Sequence, residues 1–182
     1  IYDLKKKMAA NKSEKINISF FDKITFNTRN KSEIDQFLKR IHRGKIMTYG
    51  EGFSEIASSY MYRKLLTLGK IVYLLHGIDF DILCEKSALK FDLLLIVSKS
   101  GETKHCIKLA KQAREENITV CSFTGNAGSH LARLSDISFT YNDPHTLDDD
   151  VYYPNPFIGL CIIGFEELIR RYFEKYGIDQ GY

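Results

Sequence analysis

Phe91-Asp92-Leu93-Leu94-Leu95-Ile96-Val97 runs directly into Ser98-Lys99-Ser100-Gly101-Glu102-Thr103, and the join between the two decides the fold. A continuous apolar run of this length is the mark of a strand buried on both faces, as in parallel sheets. The glycine and serine turn then gives way to helical spacing. From Thr103 to Glu116 the small or apolar residues Cys106, Leu109, Ala110 and Ala113 fall on one side. The unit is therefore strand, tight turn, helix.

Working outward, the same unit repeats. Lys45–Tyr49 reads as a strand ending at Gly50, and Ser54–Leu68 as a helix stopped by Gly69, with Ile56, Ala57, Tyr60, Met61, Lys64 and Leu65 along one side. Lys70–Leu75 is a strand and Phe80–Leu89 a helix. After the central unit come a strand at Thr119–Phe123, a short helix at Ser129–Leu134 and a last strand at Ile137–Tyr141. Asp143–Pro156 is a polar loop and Phe157–Tyr176 a long closing helix. Ahead of the first strand, Ile34, Phe37, Leu38 and Ile41 predict a helix from Lys31, with Ser32 as its N-cap and Gly44 as its end. Five strands alternating with helices predict a three-layer α/β sandwich with a five-stranded parallel, flavodoxin-like sheet. In such a sheet the ligand sits beyond the carboxyl ends of the strands where strand order reverses, here between the first and third.

Length and composition agree with one domain, residues 31–182, preceded by a linker or N-terminal extension over 1–30. A chain of 182 residues should bury roughly 70% of its extended-state surface and needs no disulfide or metal to fold. The longest apolar run, Phe157 to Phe165, is far short of the ~20 residues of a membrane span, and no signal-peptide pattern precedes the first charged cluster. Cys84, Cys106, Cys121 and Cys161 form no C-x-x-C pair and have no histidine at metal-ligand spacing. They read as reduced core residues of a cytoplasmic protein without a metal site. The net charge of +3 hides an asymmetry: residues 1–45 carry 12 Lys/Arg against 5 Asp/Glu, and residues 46–182 carry 14 against 18. A basic leader before a mildly acidic domain could touch nucleic acid or equally be a solvated linker, and a chain starting at Ile1 rather than Met leads to the expectation of a fragment whose N-terminal partner lies outside it.

Chemistry is sought in the two loops at the strand-order reversal. Tyr49-Gly50-Glu51-Gly52-Phe53-Ser54-Glu55 follows the first strand. It is no dinucleotide fingerprint, because Glu55 stands at the third glycine position and the second strand closes Leu74-Leu75-His76 with no acid. No Walker sequence is present either, so no nucleotide cofactor is expected. The loop from Ser98 to Thr103 places three hydroxyls, a glycine and a lysine within six residues. Short donors at a helix start suit a phosphate, which the helix dipole also favours.

At these residues the chain resembles the sugar isomerase (SIS) domain family of phosphosugar-binding proteins. The family's G-x-G-x-S is matched by Gly50, Gly52 and Ser54, and its S-x-S-G-x-T by Ser98, Ser100, Gly101 and Thr103. Its T-x4-S-x-L-A-x-x-x-D is matched by Thr124, Ser129, Leu131, Ala132 and Asp136. The similarity spans about Lys45 to Tyr141. It implies that Ser98, Lys99, Ser100 and Thr103 hold a sugar phosphate, with Ser54 and Glu102 nearer the sugar and Gly52 and Gly101 in the same ligand-binding set. Lys99 replaces a residue that is usually polar there and would add positive charge. Within the family, the helix Tyr60–Gly69 looks most like the effector domain of RpiR-type transcriptional regulators. Those proteins place a helix-turn-helix domain before the SIS domain. The resemblance thus implies DNA contact only through a part missing from this chain.

The alternative is an aldose–ketose phosphosugar isomerase, whose chemistry needs a carboxylate or imidazole beside the substrate. Glu51, Glu55, Glu102 and His105 are the candidates, although acids and histidine at a helix start are ordinary. The stretch Asn142 to Asp150 matches no isomerase motif, so His145 reads as a loop histidine and Asp148, Asp149 and Asp150 as a solvated acidic loop. Binding without turnover is the expectation. Lys104, Lys108 and Lys111 share a helical face that reads as solvated surface. Phe157, Leu160, Cys161, Gly164, Phe165, Leu168, Ile169, Tyr172 and Phe173 form an apolar face wide enough to predict a homodimer, with Gly159 and Gly164 permitting close helix approach.

Overall fold

A computed structural model describes residues 27–77, 79–80, 90–141 and 155–177. In chain order the elements are α1 (Ser32–Arg43), β1 (Ile46–Gly50), α2 (Phe53–Thr67), β2 (Val72–Leu74), β3 (Leu93–Val97), α3 (Lys104–Glu115), β4 (Thr119–Thr124), α4 (His130–Leu134), β5 (Ile137–Thr140) and α5 (Phe157–Tyr176). The five strands are all parallel, in the order β2-β1-β3-β4-β5. That is the expected sheet, with the reversal between β1 and β3.

The central run is buried on both faces because successive side chains alternate. Leu93, Leu95 and Val97 enter a core with Ile46, Phe123 and Phe139 beneath α1, α2 and α5. Leu94 and Ile96 enter a second core with Met47, Val120 and the Cys106, Leu109, Ala110 and Ala113 stripe of α3. The first core is aromatic. Phe37 of α1 meets Phe139 edge-on at 5.3 Å, and Phe123 lies 5.1 Å from Phe139. Ahead of α1, Asn27 pairs antiparallel with Thr140, exchanging N–H···O bonds of 2.8 and 2.9 Å. Arg29 holds Glu33 and the carbonyls of Ser135 and Asp136.

Several local expectations are corrected. Ser32 is the first helical residue of α1 rather than its N-cap; Lys31 occupies the cap, and the Ser32 hydroxyl bonds Asn30. Strand β2 has three residues instead of the six expected, although Ile46 N still donates to Ile71 O and Leu75 N to Thr48 O. Ile56 faces solvent at 55% exposure, not the core. Lys64 ends 3.0 Å from Glu166 of α5. The apolar face of α5 is consumed largely inside one chain: Phe157, Cys161, Phe165, Leu168, Ile169 and Tyr172 are all buried. Gly164 makes room for Tyr141, whose hydroxyl would clash with a Cβ there, while a Cβ at Gly159 would meet nothing within 4 Å. The breadth of that face therefore carries no argument for a dimer.

Cys106, Cys121 and Cys161 are free and buried. No helix of the described residues is long and apolar enough to cross a membrane, and no cluster that could hold a metal is found among them. Cys84, most of the helix expected at Phe80–Leu89, the loop Asp143–Pro156 up to residue 154 with His145 and its aspartates, and residues 1–26 lie outside the described residues.

Candidate functional site

Gly50 and Val97 are paired at the ends of β1 and β3, so the two loops leave the sheet side by side, about 5 Å apart. Each runs into a helix with no side-chain cap: α2 begins after Gly52 and α3 after Thr103. At α2 the opening amides turn back on the loop, Ser54 N donating to Glu51 O at 3.0 Å and Glu55 N to Gly52 O at 3.1 Å, whereas the opening amides of α3 have no capping side chain.

The serine loop is built as a closed hydrogen-bonded turn. Ser98, 2% exposed, accepts from Gly101 N at 3.2 Å and lies 3.1 Å from the Thr103 hydroxyl. Ser100, half-buried, accepts from Glu102 N at 3.2 Å. As an acceptor Ser100 keeps its own hydrogen available for an anion, and one hydrogen remains to the Ser98–Thr103 pair after their mutual bond. Lys99 is buried at 6% exposure, and its carbonyl accepts from Gly125 N and the Thr124 hydroxyl.

Gly101 is dictated twice over. Its φ is +68°, and a Cβ would stand 2.2 Å from Ser129 Oγ and 2.5 Å from Ser129 Cβ. This explains the third motif. Thr124 bonds the loop backbone, Ser129 packs under Gly101 and caps α4 through Ala132 N at 3.2 Å, and Asp136 accepts from Val120 N at 2.9 Å. Thr124 and Ser129 support the loop from beneath, whereas Asp136 stands at the start of β5, at the other end of the strands. Gly50 is equally constrained, since a Cβ would meet Ser54 O at 2.6 Å. Gly52 has φ +56° and open space around it, and Ser54 is buried behind it.

Glu102 is not aimed back at the first loop. Its carboxylate accepts from His130 N at 2.9 Å and lies 2.5 Å from His130 Nδ1. The His130 backbone bond, then its side chain, holds the Glu102 carboxyl below the ordinary carboxylate value. It joins the serine loop to the start of α4.

Between the two loops lies a cluster whose keystone, Tyr49, sequence reasoning left out. The Tyr49 hydroxyl donates to Glu51 Oε1 at 2.5 Å and lies 2.8 Å from His105 Nδ1, which is itself 2.9 Å from Glu51 Oε1. Burial, then the bond to Glu51, pushes the Tyr49 hydroxyl well above its usual pKa, so it stays protonated and donates. The only sequence signal for Tyr49 is its place two residues before Glu51 at a strand end. Cys106, beneath the loop, is inert: burial first, then Glu51, pushes its thiol up to about 12. Glu55 is exposed and 3.9 Å from His76, apart from this cluster.

Comparison with known proteins follows the same lines. An uncharacterized HTH-type transcriptional regulator of Clostridium perfringens is 25% identical over 133 residues, covering 72% of this chain and 48% of its own. Phosphoheptose isomerase of Mycobacterium tuberculosis is 40% identical over 60 residues, 33% of this chain and 30% of its own. Among solved structures, the Vibrio vulnificus NanR protein complexed with ManNAc-6P superposes with a TM-score of 0.67 at 22% identity, over 81% of this chain and 55% of that one. The sugar isomerase domain of the RpiR transcription factor from Sphaerobacter thermophilus gives 0.64 at 17% identity, over 80% and 79%. The chain spans about half the length of the first curated relatives it matches. The SIS domain family model matches residues 41–147, which is more than half of the chain, and the chain belongs to the SIS domain family.

Proposed function

We propose that this chain is the phosphosugar-binding effector domain of a transcriptional regulator. The observation that carries the reading is the serine loop: preformed, rich in hydroxyls and leading into an uncapped helix at the strand-order reversal. Ser98, Ser100 and Thr103, with Lys99 and the amides that open α3, hold the phosphate; Gly52 and Ser54 face the sugar from the other loop. Glu102 acts by fixing the loop to α4. DNA contact belongs to a helix-turn-helix part outside this chain, as the description of the Clostridium relative suggests, and the protein works in the cytoplasm. Phe53 and Ile56, 61% and 55% exposed at the start of α2, support self-association beside the site. The sugar phosphate changes the geometry of that dimer and, by linkage, the affinity for DNA.

The experiment is thermal denaturation with a panel of hexose, pentose and amino-sugar phosphates and the corresponding free sugars. A phosphate ester raises Tm and its free sugar does not. Loss of the shift in Ser100→Ala/Thr103→Ala supports the site, and its persistence refutes it.

The Tyr49–Glu51–His105 triangle favours a second reading, an aldose–ketose isomerase with Glu51 as base and His105 as proton carrier. Turnover of a sugar phosphate by the isolated chain, lost in Glu51→Gln, would establish it. No interconversion across the same panel removes it.

A further inference from the structure

A cavity of about 670 Å³ opens at the other end of the sheet, where the strands begin. Lys39, Arg40 and Arg43 enter it from the last turns of α1, and Arg114 from the end of α3. Its acids are Asp92 and Asp136, and both are already engaged: Asp92 accepts from Lys45 N at 2.8 Å, Asp136 from Val120 N at 2.9 Å and Arg114 at 3.2 Å. Lys39, Arg40 and Arg43 are exposed and make no ion pair with any described residue.

A helix C-terminus welcomes cations, and the dipole accounts for basic residues in the last turn of α1. The dipole of α3 accounts likewise for Arg114, which Asp136 engages, but neither dipole accounts for three bases of α1 left without an ion pair among the described residues over strand starts whose own acids are spent. Four cations against two engaged carboxylates leave an excess of positive charge. The volume falls in the range of small-molecule sites, and it exceeds what a lone phosphate fills. Two unpaired guanidiniums three residues apart suit bidentate contact with adjacent phosphoryl groups.

We infer that this cavity is a second anion site, distinct from the serine loop, for a small ligand carrying two linked phosphates. Nothing in the inference depends on the serine loop binding sugar phosphate. The two sites lie at opposite ends of the strands, so the substitutions that test one leave the other untouched.

The test is isothermal titration of the full 182-residue chain with inorganic pyrophosphate and with orthophosphate at matched ionic strength. Pyrophosphate is expected to bind saturably, at least tenfold tighter than orthophosphate. Arg40→Ala/Arg43→Ala should weaken it at least tenfold, while Ser100→Ala/Thr103→Ala leaves it unchanged. Both arginines are exposed, and an unchanged Tm of the double variant shows that the fold is intact; Arg43→Glu gives an independent check. The inference is overturned by absent saturation, by equal affinity for the two anions, or by full affinity in the arginine variants. It is equally overturned if duplex DNA binds through Arg40 and Arg43 and pyrophosphate does not compete.

Discussion

Gly101→Ala isolates the contact that holds the serine loop in place. Gly101 and Gly69 share a φ of +68°, but nothing lies within 4 Å of a Cβ at Gly69. Gly69→Ala therefore incurs only the left-handed backbone penalty, about 1–2 kcal/mol. At Gly101 the same methyl drives into Ser129, at 2.2 Å from Oγ and 2.5 Å from Cβ, with Thr124 Oγ1 at 3.0 Å. Relief requires Ser129 to move, and Ser129 caps α4 through Ala132 N; a lost cap costs a further ~0.5–2 kcal/mol. The sum is roughly 2–4 kcal/mol, or a fall in Tm of roughly 4–16 °C for a chain of this size. Urea denaturation of the two variants beside wild type measures the difference directly. In a Ser129→Gly background only the Thr124 Oγ1 contact at 3.0 Å remains, so adding Gly101→Ala should cost only slightly more than Gly69→Ala does. Equal losses for Gly101→Ala and Gly69→Ala in the wild-type background would refute the reasoning, because the loop would then owe nothing to its contact with Ser129.

Three further outcomes are expected. Ser100→Ala should weaken a bound sugar phosphate by about 1.5–3 kcal/mol, a charge-assisted bond, read by calorimetric titration, with little change in the stability of the free chain. Phe37→Ala, which empties a fully buried site between Phe139, Phe123 and Phe165, should cost about 3–5 kcal/mol by urea denaturation. Glu167, held below its usual pKa first by Arg170 and then by Arg171, stabilises the fold above the ordinary carboxylate pKa and loses that contribution as pH falls through its depressed value. Glu167→Gln should therefore be less stable than wild type at pH 7, by about 1 kcal/mol given its half-exposed arginines, and the gap should close toward pH 2; a gap independent of pH refutes the pairing.

The sheet was legible because its information is local. An apolar run broken by glycine, followed by helical spacing, identifies a strand-turn-helix unit without any knowledge of what it packs against, and five such units leave few topologies. The serine loop was legible for the same reason. What escaped are facts of packing between distant segments. Nothing near Ser129 announces that its Cβ sits under Gly101, and nothing in Glu102 tells a site acid from one that binds His130 across 28 positions. Tyr49 reads as an ordinary buried strand aromatic until His105, 56 positions later, arrives beside it. The apolar face of α5 misled because its width was judged without the aromatic core formed by α1 and the strands, which occupies it.

A sensor must do more than bind. Moving an equilibrium from 1:99 to 99:1 needs about 5.5 kcal/mol of preference for one state, and three charge-assisted bonds at about 1.5–3 kcal/mol each are large enough to supply it. Yet the serine loop is already closed upon itself through Ser98, Gly101 and Thr103, so in the proposed reading it would bind phosphate alike in any state that preserves it, and equal affinity shifts nothing. In that reading the loop would supply affinity, and discrimination would have to come from contacts made by an element free to sit differently. In the proposed reading that element is the start of α2. Gly52 has open space around it, Ser54 is buried behind it, and the neighbouring Phe53 and Ile56 are exposed. In that reading a ligand that engages Ser54 would shift the surface offered by Phe53 and Ile56, and the phosphate end would only decide how tightly that choice is held.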